Sequence, residues 1–359
     1  MSDSPAPEQV PAPQHKRRVR YSGRNPRRFE DKYKERNPEL YPEAVAKVLA
    51  SGKTPAGTHR PIMVAEMLEV LNPQLGEVAV DGTLGYGGHA RELLPKLLPG
   101  GRLIGLDVDP IELPKTEARL RALGFGPEIF VAHRSNFAGL FKVLAAEQLP
   151  GVDMVLADLG VSSMQLDDPW RGFSVKFAGP LDMRMNPQRG QPASVMLQRT
   201  SAEDLANILE ENADEPQAAV LAGVLAGQTF PNTTALAKAI RGALLRKVMD
   251  DEIDNSIRRV FQALRIAVND EFSALDTFLR NLPGCLNPGG RAAILTFHSG
   301  EDRRVKKAFE AGLRDGFYAD IAREVIRPTP AERHDNPRSS SAKLRWAQGG
   351  MTIERRLEF

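Results

Sequence analysis

The sequence predicts a doubly wound α/β fold, and residues 77–94 are the strongest sign of it. This stretch reads EVAVDGTLGYGGHARELL: a short apolar strand ends at Asp81, and a Gly-rich turn follows at once. Apolar residues then recur at helical spacing, at Ala90, Leu93 and Leu97. A strand, a tight loop and a helix in this order form the first unit of such a fold, whose ligand crevice lies at the carboxyl end of the strand.

A second sign is the acidic residue that ends the next strand. The run Arg102–Leu106 is followed by Asp107, nineteen residues after Gly88. An acid at this point is placed to accept hydrogen bonds from ribose hydroxyls. The glycines are spaced G-x-G-G rather than G-x-G-x-x-G, which argues against a loop for a dinucleotide pyrophosphate.

The charge of this crevice indicates the kind of ligand. Asp81 and Asp107 would both face it and would repel a pyrophosphate, whereas a cationic nucleoside without phosphate suits them. S-adenosylmethionine is such a molecule, because it carries sulfonium and ammonium charges. Gly87 and Gly88 would let backbone N–H groups approach it closely. The sequence therefore predicts a methyl-donor site.

The later strands follow the same plan. A third strand near Glu128–Ala132 leads to Phe137, and a fourth, Val152–Ala157, ends at Asp158. Residues 170–255 then interrupt the alternation of strands and helices. They contain no convincing strand and three helical patterns, near Ala202–Glu210, Pro216–Ala226 and Thr234–Val248. This region is therefore predicted to be an inserted helical subdomain.

The C-terminal part completes the sheet. Pro288-Gly289-Gly290 turns into a fifth strand, Arg291–Thr296, which ends just before His298. Residues 321–327 and 342–348 are predicted to form a closing pair of strands.

Composition places the chain among ordinary globular proteins. Its 359 residues are 42% apolar and 26% charged. The single cysteine, Cys285, excludes an internal disulfide framework and a Cys-based zinc site, and it fits a reducing cytoplasm. No apolar run is long enough for a membrane span, and the N-terminus lacks the apolar core of a signal peptide. We therefore expect a cytoplasmic protein without a metal site.

The first 58 residues are predicted to be an N-terminal extension outside the folded domain. Residues 1–14 are Pro-rich and are expected to be disordered, and a short helix is expected at Ala44–Leu49. Residues 15–36 hold ten Lys/Arg against three acids, with three aromatic rings interleaved. This segment is either a solvated tail or an arm that neutralises RNA phosphates and stacks on bases. We favour the arm.

Six ordered motifs resemble the bacterial MraW/RsmH family: DGTLGYGGHA, ADLGVSSMQLDD, RGFS, GPLDMRM, FQALRIAVNDE and TFHSGEDR. The resemblance runs from about His59 to Arg345 and does not reach the basic segment. It implies S-adenosylmethionine-dependent methylation of N4 of a cytidine in the decoding region of small-subunit ribosomal RNA. It also implies a class I, Rossmann-like methyltransferase fold with a seven-stranded, mostly parallel sheet. The expected partner is that RNA or a 30S assembly particle, and homo-oligomerisation stays open.

The resemblance also assigns roles to residues. Asp158 is expected to meet the acceptor amine as the catalytic group, although it could instead only order its loop. Phe137 is expected beside the adenine, although it could be an ordinary core residue, and His298 could be structural. The donor site is expected to comprise Asp81, Gly87, Gly88, His89, Asp107, Phe137, Asp158 and Gln165. The RNA is expected to contact Ser162, Ser163, Arg171, Arg184 and His298.

The sequence departs from the family pattern most strongly before Phe261. The family usually has His-Pro-Ala-Thr-Arg there, and this chain has Asn255-Ser-Ile-Arg-Arg259. This departure favours a first alternative, methylation of another nucleic-acid site. A second alternative is a non-catalytic RNA-binding or ribosome-assembly protein, and the intact donor-site motifs argue against it. The predicted methyltransferase domain spans residues 59–169 and 256–359, with an RNA-recognition insertion at 170–255.

Overall fold

The computed structural model describes residues 61–176 and 178–350. The expected N-terminal extension at 1–58, with its basic segment and short helix, lies outside these residues. Among the helices within the described ranges, none combines the length and the apolar character that crossing a bilayer requires.

A single seven-stranded sheet forms the centre of the molecule. Its strands lie in the order β3-β2-β1-β4-β5-β7-β6. Strands β1 to β5 pair in parallel, and β7 runs antiparallel to both β5 and β6. The strands are β1 Val78–Asp81, β2 Arg102–Asp107, β3 Phe130–Arg134, β4 Val152–Asp158, β5 Leu286–Thr296, β6 Tyr318–Ile321 and β7 Lys343–Gly349. The predicted seven-stranded, mostly parallel sheet is confirmed.

The order of the strands fixes where a ligand binds. The chain goes from β1 outward to β2 and β3, and then crosses back to β4 on the other side of β1. In a doubly wound sheet, the crevice opens at the carboxyl ends of the strands where this reversal occurs. Asp81, Asp107 and Asp158 are the last residues of β1, β2 and β4, so all three lie at that edge.

Helices cover both faces of the sheet, which lets strands rich in Val, Leu and Ile be buried on both sides. On one face, Leu71, Leu94 and Leu120 pack against the sheet. On the other face, Phe278 and Phe309 do so. The helices of this α/β domain are α1 Val64–Leu71, α2 Gly88–Leu97, α3 Glu112–Ala122, α4 Leu140–Ala146, α5 Ser163–Asp167, α11 Glu271–Cys285, α12 Ser299–Arg314 and α13 Pro330–Asp335.

The region between β4 and β5 carries a further group of helices with its own apolar core. These helices are α6 Ala193–Arg199, α7 Ala202–Ala213, α8 Ala218–Leu225, α9 Thr233–Leu244 and α10 Asp250–Asn269. Buried residues of all five form one cluster separate from the two that flank the sheet. Three of these helices lie where the sequence predicts helical patterns.

Helix α10 joins this group to the rest of the molecule. Its buried residues Ile253, Val260 and Leu264 belong to the core of the inserted helices, while its last residues reach the edge of the sheet. The boundary predicted between residues 255 and 256 falls inside this unbroken helix.

The first strand of the predicted closing pair is displaced. The sequence suggests 321–327, but β6 is Tyr318–Ile321, and beyond it only Ile326 makes a bridge, to Leu344. Tyr318 is buried against Phe309, with ring centroids 5.4 Å apart, and this contact places the start of the strand earlier.

Candidate active site

A cavity of about 430 Å³ opens at the carboxyl ends of the parallel strands. This volume falls within the range of roughly 300–1,000 Å³ that is typical of small-molecule sites. The cavity is lined by the Gly-rich loop after β1, the ends of β2 and β4, and the junction of α10 with α11.

The two predicted loop glycines permit close packing within the protein. Gly87 has φ +79°, and a Cβ there would lie 2.9 Å from Cγ2 of Thr116. A Cβ on Gly88 would lie 2.8 Å from Cγ of Pro61. Gly88 lines the cavity and Gly87 does not, so Gly87 contributes to the shape of the loop.

Asp107 holds the Gly-rich loop and faces the cavity at the same time. Its Oδ2 accepts a hydrogen bond from the backbone N–H of Gly85 at 2.7 Å, and its Oδ1 accepts one from Asp109 at 2.8 Å. Burial raises the pKa of Asp107 to about 6. Each carboxylate oxygen keeps acceptor capacity for a ligand hydroxyl, so the structure is consistent with ribose binding.

Gln165 and Arg171 both donate hydrogen bonds to one carboxylate oxygen of Asp109 in the cavity wall. Oδ2 of Asp109 accepts from Nε2 of Gln165 at 3.0 Å and from Nη1 of Arg171 at 2.7 Å. Arg171 also donates to the backbone carbonyls of Arg184 and Met185. Gln165 lines the cavity, whereas Arg171 lies behind the wall and braces it.

Phe137 lies in the cavity wall, where an adenine is expected. Its ring meets that of Phe278 edge-on, with centroids 5.3 Å apart. One part of this side chain packs on the core and another part is accessible, so both roles considered from the sequence are compatible with its position.

His89 lies close to two of the predicted acids, Asp81 and Asp158. Its Nε2 lies 3.0 Å from the backbone carbonyl of Ile62, and its Nδ1 lies 3.7 Å from Oδ2 of Asp158. Because a carbonyl oxygen can only accept, Nε2 carries the proton and Nδ1 faces the carboxyl group. Asp81 is 1% exposed and lies below the cavity wall. Burial raises the pKa of Asp81 to about 7, although the nearby His89 opposes that shift.

Asp158 lines the cavity at the end of β4. Its backbone N–H donates to Oγ1 of Thr83, which fixes its position against the loop after β1. Burial, together with the negative charge of Glu301, raises the pKa of Asp158 to about 7. Its carboxyl group can therefore take or give a proton near neutral pH.

Beyond Asp158, the cavity is bounded by a buried ionic cluster. Arg265 donates from Nε and Nη2 to the two oxygens of Glu271, both at 2.8 Å. Glu301 accepts from the backbone N–H of Phe297 at 2.8 Å, and its Oε1 lies 3.1 Å from Nε2 of His298. Burial alone would raise the pKa of Glu301, but His298 and Arg265 outweigh burial and lower it.

Glu271 and Glu301 are functional candidates that the sequence did not reveal. Arg265 and Asn269 also line the cavity. The one sequence signal for the two glutamates is that both lie within the motifs FQALRIAVNDE and TFHSGEDR, which resemble the family.

The predicted RNA-binding residues fall into two groups. Ser162 and Ser163 line the cavity. Arg171, Arg184 and His298 do not line it, and each has protein partners: Arg184, for example, donates to both oxygens of Asp182. Contact of these three side chains with RNA stays a prediction.

The segment that departs from the family pattern lies in the packing between the inserted helices. Oγ of Ser256 donates to Glu215 at 2.9 Å, and Nη1 of Arg259 lies 3.9 Å from the same carboxyl group. None of these residues lines the cavity, and Asn255 is half-buried. The departure therefore leaves the described cavity walls unaltered.

The buried acids predict how stability depends on pH. Asp81, Asp107 and Asp158 hold their protons more tightly when folded than when unfolded, so the stabilisation they give is greatest in acid and is lost as pH rises through about 7. Because this loss runs from the unfolded pKa near 4 to the folded pKa near 7, we expect the stability advantage of Asp81→Asn over the ligand-free wild type to be about 2 kcal/mol larger at pH 8 than at pH 5.5. Urea unfolding at both pH values measures this difference. An equal effect at both would contradict the assignment.

Comparison with known proteins identifies the family. Residues 56–349 match the MraW methylase family. The ribosomal RNA small subunit methyltransferase H 2 of Alkaliphilus metalliredigens is 50% identical, over 92% of this chain and 97% of its own length. A solved structure, a putative methyltransferase from Streptococcus mutans in complex with SAH, covers 81% of this chain and 98% of its own. Its TM-score of 0.39 at 12% identity adds nothing to the assignment.

The relatives differ in how much of this chain they cover. The ribosomal RNA small subunit methyltransferase H 1 of Lachnoclostridium phytofermentans is 48% identical and covers 95% of this chain and 95% of its own length. The part of this chain that it leaves uncovered is therefore about 18 residues. That alignment therefore reaches into the basic segment 15–36. The ribosomal RNA small subunit methyltransferase H of Anaeromyxobacter sp. strain K is 43% identical and covers only 80% of this chain, although 96% of its own. Since the family match spans residues 56–349 and a relative is 50% identical over 92% of the chain, the chain belongs to the MraW methylase family.

Proposed function

We propose that this methyltransferase transfers a methyl group to N4 of a cytidine in the decoding region of small-subunit ribosomal RNA. Its substrate would be that RNA or a 30S assembly particle, in the cytoplasm. The observation that carries the proposal is that Asp158 lines the same cavity as Asp107, Arg265 and Glu271. The names of the relatives support the choice of RNA.

The residues present fit S-adenosylmethionine. Asp107 would accept from the ribose hydroxyls, and Phe137 would contact the adenine. Asp107 and Asp158 line this end of the cavity, with Asp81 buried below the wall, and the carboxylate forms of these acids would favour a cation over a phosphate. When bound, S-adenosylmethionine supplies an electrophilic methyl group. Four further residues would contribute to the donor site by shaping this end of the cavity: Gly87, Gly88, His89 and Gln165.

The main chemical task of the protein is to activate a poor nucleophile. The lone pair of a cytosine amino group is delocalised into the ring, so the nitrogen attacks weakly. A carboxylate that accepts a hydrogen bond from this amine favours pyramidalisation, and it takes the proton as charge develops. Asp158 has a pKa of about 7, so it can hold that proton at neutral pH. Positioning of the amine would supply most of the remaining rate enhancement.

The inserted helices and the cavity rim would bind the RNA. A base edge becomes reachable only when the nucleotide is unstacked or extruded. We assign RNA recognition to residues 170–255, and methyl transfer to 59–169 and 256–359. Ser162 and Ser163 would contact the extruded nucleotide, while Arg171, Arg184 and His298 would act at the rim.

A second candidate is methylation at another RNA site. The departure at Asn255–Arg259 is the observation that favours it, because this segment belongs to the inserted helices proposed to recognise RNA. The cavity walls themselves give no preference for this alternative.

Mass mapping of small-subunit ribosomal RNA tests the proposal. A strain lacking the gene should lose one N4-methyl mark on cytidine, and the wild-type gene should restore it. An Asp158→Asn gene should not restore the mark. Loss of a mark elsewhere would favour the second candidate, and an unchanged RNA map would overturn both.

The basic segment 15–36 predicts a strong salt dependence of RNA binding. Each phosphate contact contributes a log–log slope of about −0.7 for single strands. Deleting residues 1–40 removes none of the described strands or helices. We expect this truncation to weaken RNA binding at low salt and to flatten the slope, with S-adenosylmethionine affinity unchanged.

Titrations of RNA at several salt concentrations measure this slope. Deleting only residues 1–14 is the matched control, because that stretch carries no Lys or Arg. An unchanged slope after removal of residues 1–40 would mean that the segment is only a solvated tail.

A further inference from the structure

One amino group of Arg265 has no hydrogen-bond partner in the described part of the chain. Nε and Nη2 of this side chain donate to the two oxygens of Glu271, both at 2.8 Å. In a planar guanidinium these two groups form one edge, so Nη1 lies on the side away from Glu271. Arg265 lines the cavity, and Nη1 is not sealed in the protein interior. This group can therefore donate to a ligand.

The guanidinium that carries Nη1 is held firmly. Burial would lower the pKa of Arg265, but the carboxylates of Glu271 and Glu301 outweigh burial and raise it, so the side chain stays charged. Oε1 of Glu301 lies 4.0 Å from Nη2 of Arg265, and its Oε2 accepts from the backbone N–H of Phe297 at 2.8 Å. Because both glutamates hold the guanidinium, Nη1 has little conformational entropy to lose when a ligand binds.

The charges around Arg265 indicate which kind of group Nη1 can bind. Two carboxylates, Glu271 and Glu301, lie beside a single guanidinium. His298 lies 3.1 Å from Glu301, and even when protonated it only brings the cluster to neutrality. The cluster therefore offers no excess positive charge to a carboxylate or a phosphate. A neutral acceptor atom, such as those on the edge of a base, can still receive the hydrogen bond.

Nη1 lies beside the loop that follows Asp158. A Cβ on Gly160 would lie 3.7 Å from Nη1, and Gly160 comes two residues after Asp158. Two residues span at most about 7 Å of backbone, and all three residues line the cavity. A hydrogen-bond donor and an acceptor therefore flank the same part of the cavity.

We propose that Nη1 of Arg265 donates a hydrogen bond to N3 of the target cytosine while Asp158 accepts one from the N4 amino group. The two base atoms are neighbours on the base-pairing edge, by which enzymes read an extruded base. The lone pair of N3 is not delocalised into the ring, so N3 is a strong acceptor. Uracil has the opposite pattern, with an acceptor at O4 and a donor at N3, and would mismatch both side chains. This inference rests on the proposed function and adds how the site selects cytosine.

An analogue of the target base tests this contact. In 3-deazacytidine a C–H group replaces N3, while the N4 amino group stays. We compare single-turnover methylation, at saturating RNA, of ligated small-subunit ribosomal RNA with cytidine or 3-deazacytidine at the target. Wild-type protein should be about 10- to 150-fold slower on the analogue, the usual range for a hydrogen bond to a charged group. Arg265→Lys keeps the charge but lacks Nη1, so its penalty for the analogue should be at least about tenfold smaller. Equal penalties would overturn the proposal.

Arg304→Lys is the matched control. Arg304 is a neighbouring guanidinium, 3.6 Å from the ring centroid of Phe272, and it does not line the cavity. This protein should keep the wild-type penalty. Should Arg265→Lys fail to fold, Glu271→Gln replaces it in the test. That change keeps Arg265 but turns one of its two acceptor atoms into an amide donor, so the misaligned guanidinium should give a smaller penalty. An undiminished penalty in this protein would overturn the proposal.

Binding and kinetics separate this contact from other roles of Nη1. In Arg265→Lys, S-adenosylmethionine affinity and the KM for RNA should stay close to wild type, because N3 belongs to a single base. A loss of donor affinity equal to the loss in rate would place the donor carboxylate at Nη1. A raised KM with unchanged kcat would place a phosphate there. Either result overturns the proposal. If wild-type protein methylates N4 but the penalties are equal, the base contact is wrong and the proposed function stands. If it methylates no cytidine of this RNA, both fail.

Discussion

Replacing Asp158 with Asn is expected to lower the rate of methyl transfer by about 10²–10⁴-fold, the usual contribution of a positioned proton acceptor. Asn keeps the size of the side chain but cannot take a proton. S-adenosylmethionine affinity should change much less, because Asp107 and the Gly-rich loop, which line the same cavity, would still hold the donor. Single-turnover methylation of unmodified small-subunit RNA and calorimetric titration of the donor measure the two quantities.

The pH profile adds a second measurement. Since the carboxylate form is the active one, the wild-type rate should rise with pH and level off above about 7, the pKa to which burial raises Asp158. The profile should lose this step in Asp158→Asn. The matched control is Asp153→Asn in the same strand, because Asp153 bonds only Val78 and Asn287 away from the cavity. Equal losses in rate and donor affinity would return Asp158 to a structural role.

Replacing Asp107 with Ala is expected to weaken S-adenosylmethionine binding by about 1–3 kcal/mol, or about 5- to 160-fold. The change removes the acceptor proposed for the ribose, and it also frees the backbone N–H groups of Gly85 and Asp109 that shape the loop. Asp107→Asn should lose less, since its amide oxygen can keep one of these bonds. Calorimetry with the ligand measures the difference. Binding that is unchanged in Asp107→Ala would show that this carboxylate does not hold the ribose.

The sequence was sufficient to predict the acidic edge of the sheet. Asp81, Asp107 and Asp158 each follow an apolar run, and parallel strands bring their carboxyl ends to one edge whatever the loops do. This prediction needed only the positions of the strands along the chain, which local apolar patterns indicate.

Contacts between distant segments could not be predicted in this way. Arg171 precedes Gly172 in a family motif, but nothing local indicates that it would bond Asp109, 62 residues earlier. His298 was expected at the cavity because it follows β5, whereas it turns towards Glu301 in the wall. Arg171 pairs with the buried carboxylate of Asp109, and His298 with that of Glu301. Such pairings depend on the complete fold.

The departure at Asn255–Arg259 shows the same limit. From the sequence, a missing family histidine put the RNA pocket in doubt. In the structure, Ser256 and Arg259 meet Glu215 in the packing of the inserted helices. Glu215 lies in the connection between α7 and α8, so this departure bears on the packing of the inserted helices.

The continuity of helix α10 has a practical consequence for protein engineering. A chimera that exchanges the inserted helices between two relatives, and is cut at the boundary suggested by the sequence, would join two halves of one helix. Of the buried residues that α10 gives to the core of the inserted helices, only Ile253 would come from the same parent as those helices, while Val260, Leu264 and the cavity residues Arg265 and Asn269 would come from the other. The natural junction is Asp270, which has φ +50° between α10 and α11. Grafts that end there would transfer the inserted helices together with Arg265 and Asn269 of the cavity wall as one unit.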